Sequence, residues 1–400
     1  MSPVAEATAA VKLAVRISRI EPSATMAAVA EAEKLRQQGI DVVDCTAGEP
    51  HFPTPEHIKE AAIAAIRANF SRYTAVGGTL ELKDAIINRH STDFGSAYKR
   101  EEVCASVGGK HALFNVISAL VDHGDEVILP VPYWVSFKDI VNYAGGTCVL
   151  LHADGEQSFR VTAQMVERLI TPRTKLIILN SPSNPSGAVM SPADMTEVVR
   201  LAHDRGIWVI SDECYVYLNY TERNFSVGSL NEYRDRFLVV GSLSKTYAMT
   251  GWRLGYTLGP SSVVSAVQKL QSQSTSNPTS IVQKAAVAAL NGPQDCVVEM
   301  RAEYIRLRDH IVAGLCGIPG IRCTMPEGAF YAYPNVSTLF GKGGLRSGAD
   351  VAHGLLHKAH VATVAGEGFG TTEHVRISYA TSLENLNRAL ERIGNYVHSL

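Results

Sequence analysis

Apolar residues along this chain fall into two recurring patterns. From about Glu102 onward, short apolar runs alternate with longer stretches in which apolar positions recur every three or four residues. The runs at 103–107, 126–129, 176–179, 208–211 and 237–240 read as strands, and the stretches between them as helices. Runs without polar alternation belong to strands buried on both faces. Strands separated by helices of this length build a mostly parallel sheet covered by helices, so the expected fold class is α/β. Ligands in such sheets sit beyond the carboxyl ends of the strands, which makes the loops there the place to look for chemistry.

The flanking regions follow other rhythms. Residues 26–38 carry apolar positions at 26, 29, 30 and 35 and stop at Gly39, the pattern of an amphipathic helix with a glycine end. Thr54-Pro55-Glu56 reads as a helix start, with a hydroxyl cap, a proline in the first turn and an acid at the positive dipole end; Ile58, Ala62, Ala65 and Ile66 then share a face. After about Asn291 the order becomes helix (297–314), strands (321–324 and 329–333), helix, and a strand at 374–379. A last helix has Leu386, Leu390, Ile393 and Val397 on one side. A chain of 400 residues exceeds what one core usually fills. The expected organisation is a segment 1–49 joining a small domain, a large domain over 50–290, and the small α+β domain over 291–400.

Composition narrows the partners. With 46% hydrophobic and 19% charged residues and a formal net charge of -2, nothing electrostatic draws the chain to nucleic acid or an anionic membrane. No run of eighteen apolar residues predicts a membrane span, and Lys12, Arg16 and Arg19 interrupt the apolar stretch a signal peptide would need. The seven cysteines are odd in number and scattered, without Cys-x-x-Cys, as suits reduced thiols in the cytoplasm rather than a disulfide framework or a zinc site. His353, His357 and His360 share a helical face, readable as a metal site or as a wet helix surface; no metal is expected.

The strand at 237–240 stops at Gly241 and delivers Ser242, Ser244, Lys245 and, eight residues later, Arg253 into one small volume. Lysine forms Schiff bases with aldehydes, and an amine kept from water beside other cations is nucleophilic near neutral pH. Two serines and an arginine make a phosphate clamp. An aldehyde carried on a phosphate describes pyridoxal phosphate. Ser-x-Ser-Lys alone also suits a polar turn with a solvated lysine, so the other strand ends decide. Gly108-Gly109-Lys110 follows a strand and opens a helix, where backbone N–H groups can meet a phosphate. Trp134 could stack on a flat cofactor or fill a domain interface. Asn184 lies in a run of turn formers, 180–187, after a strongly apolar strand. Asp212 ends another strand, with Tyr215 three residues on; it either caps the next helix or pairs with a protonated pyridine nitrogen. Arg376, in the final strand, has the planar fork suited to a carboxylate.

In order, Gly48-Glu49-Pro50, Tyr73, Gly108-Gly109-Lys110, Pro132-Tyr133-Trp134, Asn184-Pro185, Asp212-x-x-Tyr215, Ser242-x-Ser-Lys245, Arg253 and Arg376 resemble the class I/II aminotransferases of fold type I. The likeness is closest to the bacterial-type aspartate and prephenate aminotransferases and runs from about Ile17 to Ile393. It implies a Schiff base between Lys245 and pyridoxal phosphate, with Lys245 later shuttling a proton. By the same likeness Asp212 partners the pyridine nitrogen, Asn184 and Tyr215 meet the phenolic oxygen, and Trp134 stacks on the ring. Gly108, Gly109, Lys110, Ser242, Ser244 and Arg253 hold the phosphate, helped by Tyr73 from the second subunit of a homodimer. Arg376, beside the Gly48 backbone, binds the α-carboxylate of an amino-acid donor or a 2-oxo-acid acceptor, and the Lys110 side chain meets a distal carboxylate.

Lys110 favours a dicarboxylic amino acid, so aspartate with 2-oxoglutarate, exchanged by a ping-pong cycle, is the expected pair. One position departs from the pattern. Relatives that accept prephenate tend to carry a basic residue just before Pro-Ser near the N-terminus, and here Glu21 precedes Pro22-Ser23. A carboxylate reaching the site would repel a dicarboxylate, which weighs against prephenate and, to a degree, aspartate. Alternatives are an aminotransferase for prephenate, aromatic or other amino acids, or a carbon–sulfur lyase sharing the cofactor. A regulatory sensor domain is disfavoured by the complete catalytic set. A nicotinamide dehydrogenase is disfavoured because no Gly-x-Gly-x-x-Gly follows the first strand.

Overall fold

The computed structural model describes residues 13–221 and 224–400; Lys12, one of the charges noted above, lies outside the described residues. In chain order the strands are β1 (Val43–Asp44), β2 (Val103–Ser106), β3 (Glu126–Val131), β4 (Thr147–His152), β5 (Thr174–Asn180) and β6 (Trp208–Asp212). They continue with β7 (Phe237–Ser242), β8 (Gly255–Leu258), β9 (Tyr331–Ala332), β10 (Val361–Ala362), β11 (Val364–Ala365) and β12 (Val375–Ser378).

Seven of them make the central sheet, in the order β2-β8-β7-β6-β5-β3-β4. β8 is antiparallel to both neighbours, and every other pairing in this sheet is parallel. The uninterrupted apolar runs have the meaning expected of them. Ile177, Leu179, Val209, Phe237 and Val239 enter the core on one face, while Leu176, Ile178, Ile210, Leu238 and Val240 enter the core on the other. Strict alternation between two buried faces requires apolar residues at every position. Two strands of this sheet lie outside the apolar runs read from the sequence. β4 is an edge strand with a partly exposed pattern, and β8 is four residues long and begins at a glycine.

A further core gathers around Tyr304, Phe330, Tyr331, Tyr379 and Ile393, and Val43 and Cys45 from the N-terminal segment join it. Its three-stranded sheet runs β11-β12-β9, all antiparallel, while β1 pairs with β10 in parallel. The helix Leu383–His398 buries Leu386, Ala389, Ile393 and Val397 on one side. Each such aliphatic side chain contributes about 1.5–3 kcal/mol, and Ile393→Ala would cost about 2–5 kcal/mol through the cavity it leaves.

Three local expectations are corrected. Residues 321–324 do not form a strand; only an isolated bridge joins Arg322 to Asn335. Thr54 does not cap the helix Glu56–Arg67, because its hydroxyl donates to the Ala248 carbonyl and accepts from Trp252 Nε1. In the helix Ala24–Gln37 the buried side chains are Ala32 and Leu35, and Met26 is exposed.

Candidate active site

Parallel registry decides where the chemistry collects. β5 and β6 end level, Asn180 opposite Asp212, and β7 runs two residues past the level of Asp212, which pairs with Val240, so Asn180, Asp212 and Ser242 all emerge at the same edge of the sheet. On the far side of β7, Gly255 of β8 pairs with both Ser242 and Ser106. A Cβ at Gly255 would collide with the Gly109 backbone, so a glycine there lets the start of the helix Gly109–Leu120 approach Ser242. Gly108 has φ +85, and a side chain on it would strike the Arg253 guanidinium. Ser242 caps the short helix Leu243–Thr246 by accepting the Ser244 N–H at 3.1 Å, which turns Ser244 and Lys245 into the same space.

The result is a cavity of about 280 Å³ lined in part by Gly109, Asp212, Ser242, Lys245, Arg253 and Arg376. Lys245 Nζ donates to the Gly48 carbonyl, and burial lowers its pKa to about 8, with Arg253 and Arg376 pushing the same way. Asp212 is almost fully buried and moves oppositely: burial raises its carboxyl to about 6, against the pull of the Cys214 N–H, which donates to Oδ1 at 3.0 Å. Among the described residues no cation forms an ion pair with Asp212. A buried carboxylate in that state favours a cation brought by something bound.

Arg376 is buried to 1% exposure on β12. Nη1 donates to Asn184 Oδ1 at 2.9 Å and Nη2 to the Thr46 carbonyl at 2.8 Å, while Nε has no partner. The guanidinium lies over the Tyr331 ring at 4.4 Å and the Phe369 ring at 5.1 Å. A fully buried arginine held by neutral oxygens and ring faces is poised for an anion. Lys110 Nζ sits 5.0 Å over the Trp134 ring at the mouth of the cavity, and burial followed by Arg253 lowers its pKa. Trp134 is braced edge-on by Phe137.

Of the residues singled out from the sequence, the fold brings Gly48, Gly109, Lys110, Trp134, Asn184, Asp212, Tyr215, Ser242, Ser244, Lys245, Arg253 and Arg376 to one cavity wall, with Gly108 against Arg253 behind it. Tyr73 is not brought there; it stands 90% exposed on the loop between the helices Glu56–Arg67 and Leu80–Phe94. Tyr215 differs in its partner, since its hydroxyl already meets the Tyr331 hydroxyl at 2.8 Å. Glu21 is exposed and absent from the lining, its backbone N–H held by Asp139 at 3.1 Å, while Ser23, two residues on, lines the cavity. Ser23, Thr25, Met26, Cys214 and Tyr331 line the cavity and were missed. Cys214 was signalled only by its place between Asp212 and Tyr215; the others come from segments far away in the chain. His353 and His357 pack ring to ring at 4.3 Å, and no group of three metal-binding side chains occurs among the described residues.

The donor set fits pyridoxal phosphate. Helix-start N–H groups, two hydroxyls and a guanidinium suited to a phosphate share one cavity lining. A primary amine lines the same cavity, as does a buried carboxylate that has no ion-pair partner among the described residues.

Comparison with known proteins agrees in one direction. A family model described as aminotransferase class I and II matches residues 40–393. An aspartate aminotransferase from Bacillus sp. (strain YM-2) is 41% identical over 96% of this chain and 99% of its own length. An aspartate/prephenate aminotransferase from Nitrosomonas europaea is 43% identical over the same shares. Among solved structures, the Rhizobium meliloti aspartate aminotransferase superposes with a TM-score of 0.93 at 42% identity, covering 97% of this chain and 99% of that one. The Thermus thermophilus aspartate aminotransferase with maleate gives 0.92 at 40% identity, covering 96% and 99%.

Proposed function

Since this chain belongs to the class I and II aminotransferase family and is a pyridoxal phosphate-dependent aminotransferase, we propose that it moves the amino group of aspartate to 2-oxoglutarate by a ping-pong cycle centred on Lys245. The observation that carries this reading is the convergence of a buried amine, a buried carboxylate and an arginine without an acid partner around one cavity.

Bound pyridoxal phosphate supplies an aldehyde carbon for a primary amine and a ring that accepts the electron pair left when the α-proton departs. The protein holds, orients and moves protons. The N–H groups at Gly109 and Lys110, with Ser242, Ser244 and Arg253, would anchor the phosphate, while Gly108, whose own N–H donates to the Ser106 carbonyl at 2.8 Å, sets the turn that opens their helix. Asp212 would meet the ring nitrogen and favour its protonated form, since its carboxylate gains most from a cation in that dry position. Asn184 Oδ1 is occupied by Arg376, which leaves its amide N–H₂ for the phenolic oxygen beside Tyr215. The Tyr331 hydroxyl orients Tyr215 for that role. Trp134 would cover one ring face. With a pKa of about 8, part of the Lys245 population is neutral at physiological pH, so Nζ can take the substrate α-proton and return it.

Arg376 receives the α-carboxylate beside Gly48, and Lys110 the distal one. The maleate held by the Thermus relative is a dicarboxylate, which supports a dicarboxylic substrate here. The same reading includes a homodimer in which Tyr73 reaches the partner's phosphate site, and a division into domains near residues 50 and 290, supported by the separate cores. Seven free thiols support a reducing compartment, the cytoplasm. Protein loaded with pyridoxal phosphate and offered a panel of amino acids tests the whole. The shift to the pyridoxamine spectrum should be fastest per unit concentration for aspartate. Equal rates for alanine, or pyruvate released from a cysteine conjugate without an oxo acid, would refute it.

A further inference from the structure

The loop between the helices Glu56–Arg67 and Leu80–Phe94 carries Tyr73 at its tip. A single exposed aromatic ring is unremarked on most surfaces. The platform beneath this one is unusual. Gln283, wholly buried in the helix Ser280–Asn291, accepts the Thr79 N–H at 2.8 Å and donates to Thr74 Oγ1 at 2.9 Å and to the Pro278 carbonyl at 2.8 Å. Gln271, equally buried in the helix Ser261–Ser272, donates to the Val76 carbonyl at 2.6 Å and to the Ala105 carbonyl at 2.9 Å. Its Oε1 accepts from Ser106 Oγ at 2.6 Å and from Asn115 Nδ2 at 3.2 Å.

Both amides use their oxygen and both N–H groups, so neither can shift without leaving buried polar atoms unpaired. Their grip falls between Tyr73 and the end of the loop, and on the near side Ser280 Oγ donates to the Phe70 carbonyl at 2.9 Å. The backbone is fixed on each flank of a side chain that touches little of its own subunit. Gln271 adds a second connection, because Ala105 and Ser106 belong to β2, the strand that runs into Gly108-Gly109.

We propose that Gln271 and Gln283 are positioning residues for Tyr73, holding it in the pose that completes the phosphate site of a second copy of this chain, and that Gln271 also steadies its own subunit's phosphate site through β2. This rests on the dimer reading above. It has a consequence that ordinary structural support does not share: Gln283 serves the other subunit's site and not its own.

Hybrid dimers separate the two. One subunit carries Lys245→Ala, so borohydride fixes cofactor only on the other subunit's Lys245, and the fixed amount is titrated against free pyridoxal phosphate. Gln283→Leu on the Lys245→Ala subunit should raise the half-saturating concentration at the intact site about tenfold. Tyr73→Phe in the same placement should raise it comparably, and the two together no further. Gln283→Leu on the Lys245-bearing subunit should leave it within about twofold, whereas Gln271→Leu should raise it in either placement. If Gln283→Leu fails to assemble, Thr74→Val, which removes one acceptor of the Gln283 amide, takes its place. A rise in both placements, or one that adds fully to that of Tyr73→Phe, overturns the role of Gln283. Silence of Tyr73→Phe in trans instead overturns the dimer reading.

Discussion

Replacing Lys245 with methionine should abolish transamination and yet make the cofactor-free protein more stable at pH 7. The amine is held near pKa 8, chiefly by burial, against about 10.5 for a free lysine. Below pH 8 the folded and unfolded chains both carry the proton, and the folded one bears the cost of a buried cation near two arginines, roughly 3 kcal/mol. Methionine has a similar length and no charge. It leaves the Gly48 carbonyl without its donor, which returns about 1 kcal/mol and brings the net gain to about 2 kcal/mol. Between pH 8 and 10.5 the unfolded wild type binds the proton more than the folded one, so wild-type stability rises with pH and the advantage of methionine shrinks. Near pH 10.5 the order should reverse. Urea unfolding of both cofactor-free proteins at one protein concentration, at pH 7, 8.5 and 10, reads the difference directly, and titrations elsewhere in the chain cancel. A methionine variant less stable at pH 7, or a difference that stays flat across the series, would refute the reasoning.

Asp212→Asn tests the group on the opposite side. Burial raises its folded pKa to about 6, above the unfolded value, so the stability this carboxyl contributes is present in acid and is lost as pH rises through 6. The cofactor-free Asn variant should therefore gain on wild type between pH 4 and 7 in the same unfolding assay. In steady-state kinetics of the loaded enzyme it should lose a factor on the order of 10²–10³ in kcat/KM. Lys110→Ala should lower kcat/KM for aspartate about 10- to 100-fold and leave alanine within about threefold; equal losses would remove Lys110 from the substrate site. Glu21→Ala should keep kcat/KM for aspartate within about twofold, since the side chain is exposed and off the cavity wall; a tenfold rise would return that carboxylate to the site.

Much of this is legible in the sequence. The strands that carry Asn180, Asp212 and Ser242 announce themselves, because a strand covered on both faces must be apolar at every position, and the residue that ends such a run is at the mouth of the sheet. The edge strand β4 is covered less completely, and its pattern was correspondingly faint. Thr54 looked like a cap because hydroxyl-Pro-acid is a common helix start, but the tertiary bonds to Ala248 and Trp252 took its hydroxyl instead.

The order of chemistry-bearing residues at strand ends is a property of the chain itself, since backbone register carries each run of apolar residues to a predictable exit. That register carries the fold class, the resemblance to a known family adds the cofactor, and the structure brings Lys245, Asp212 and Arg376 to one cavity. Contacts between segments far apart are another matter. Tyr331 reaching Tyr215, Gly255 clearing the way for Gly109, and Ser23 and Thr25 joining the cavity wall while Glu21 stays off it depend on how helices and sheets pack in three dimensions. No local preference encodes those distances, and only the assembled core decides them.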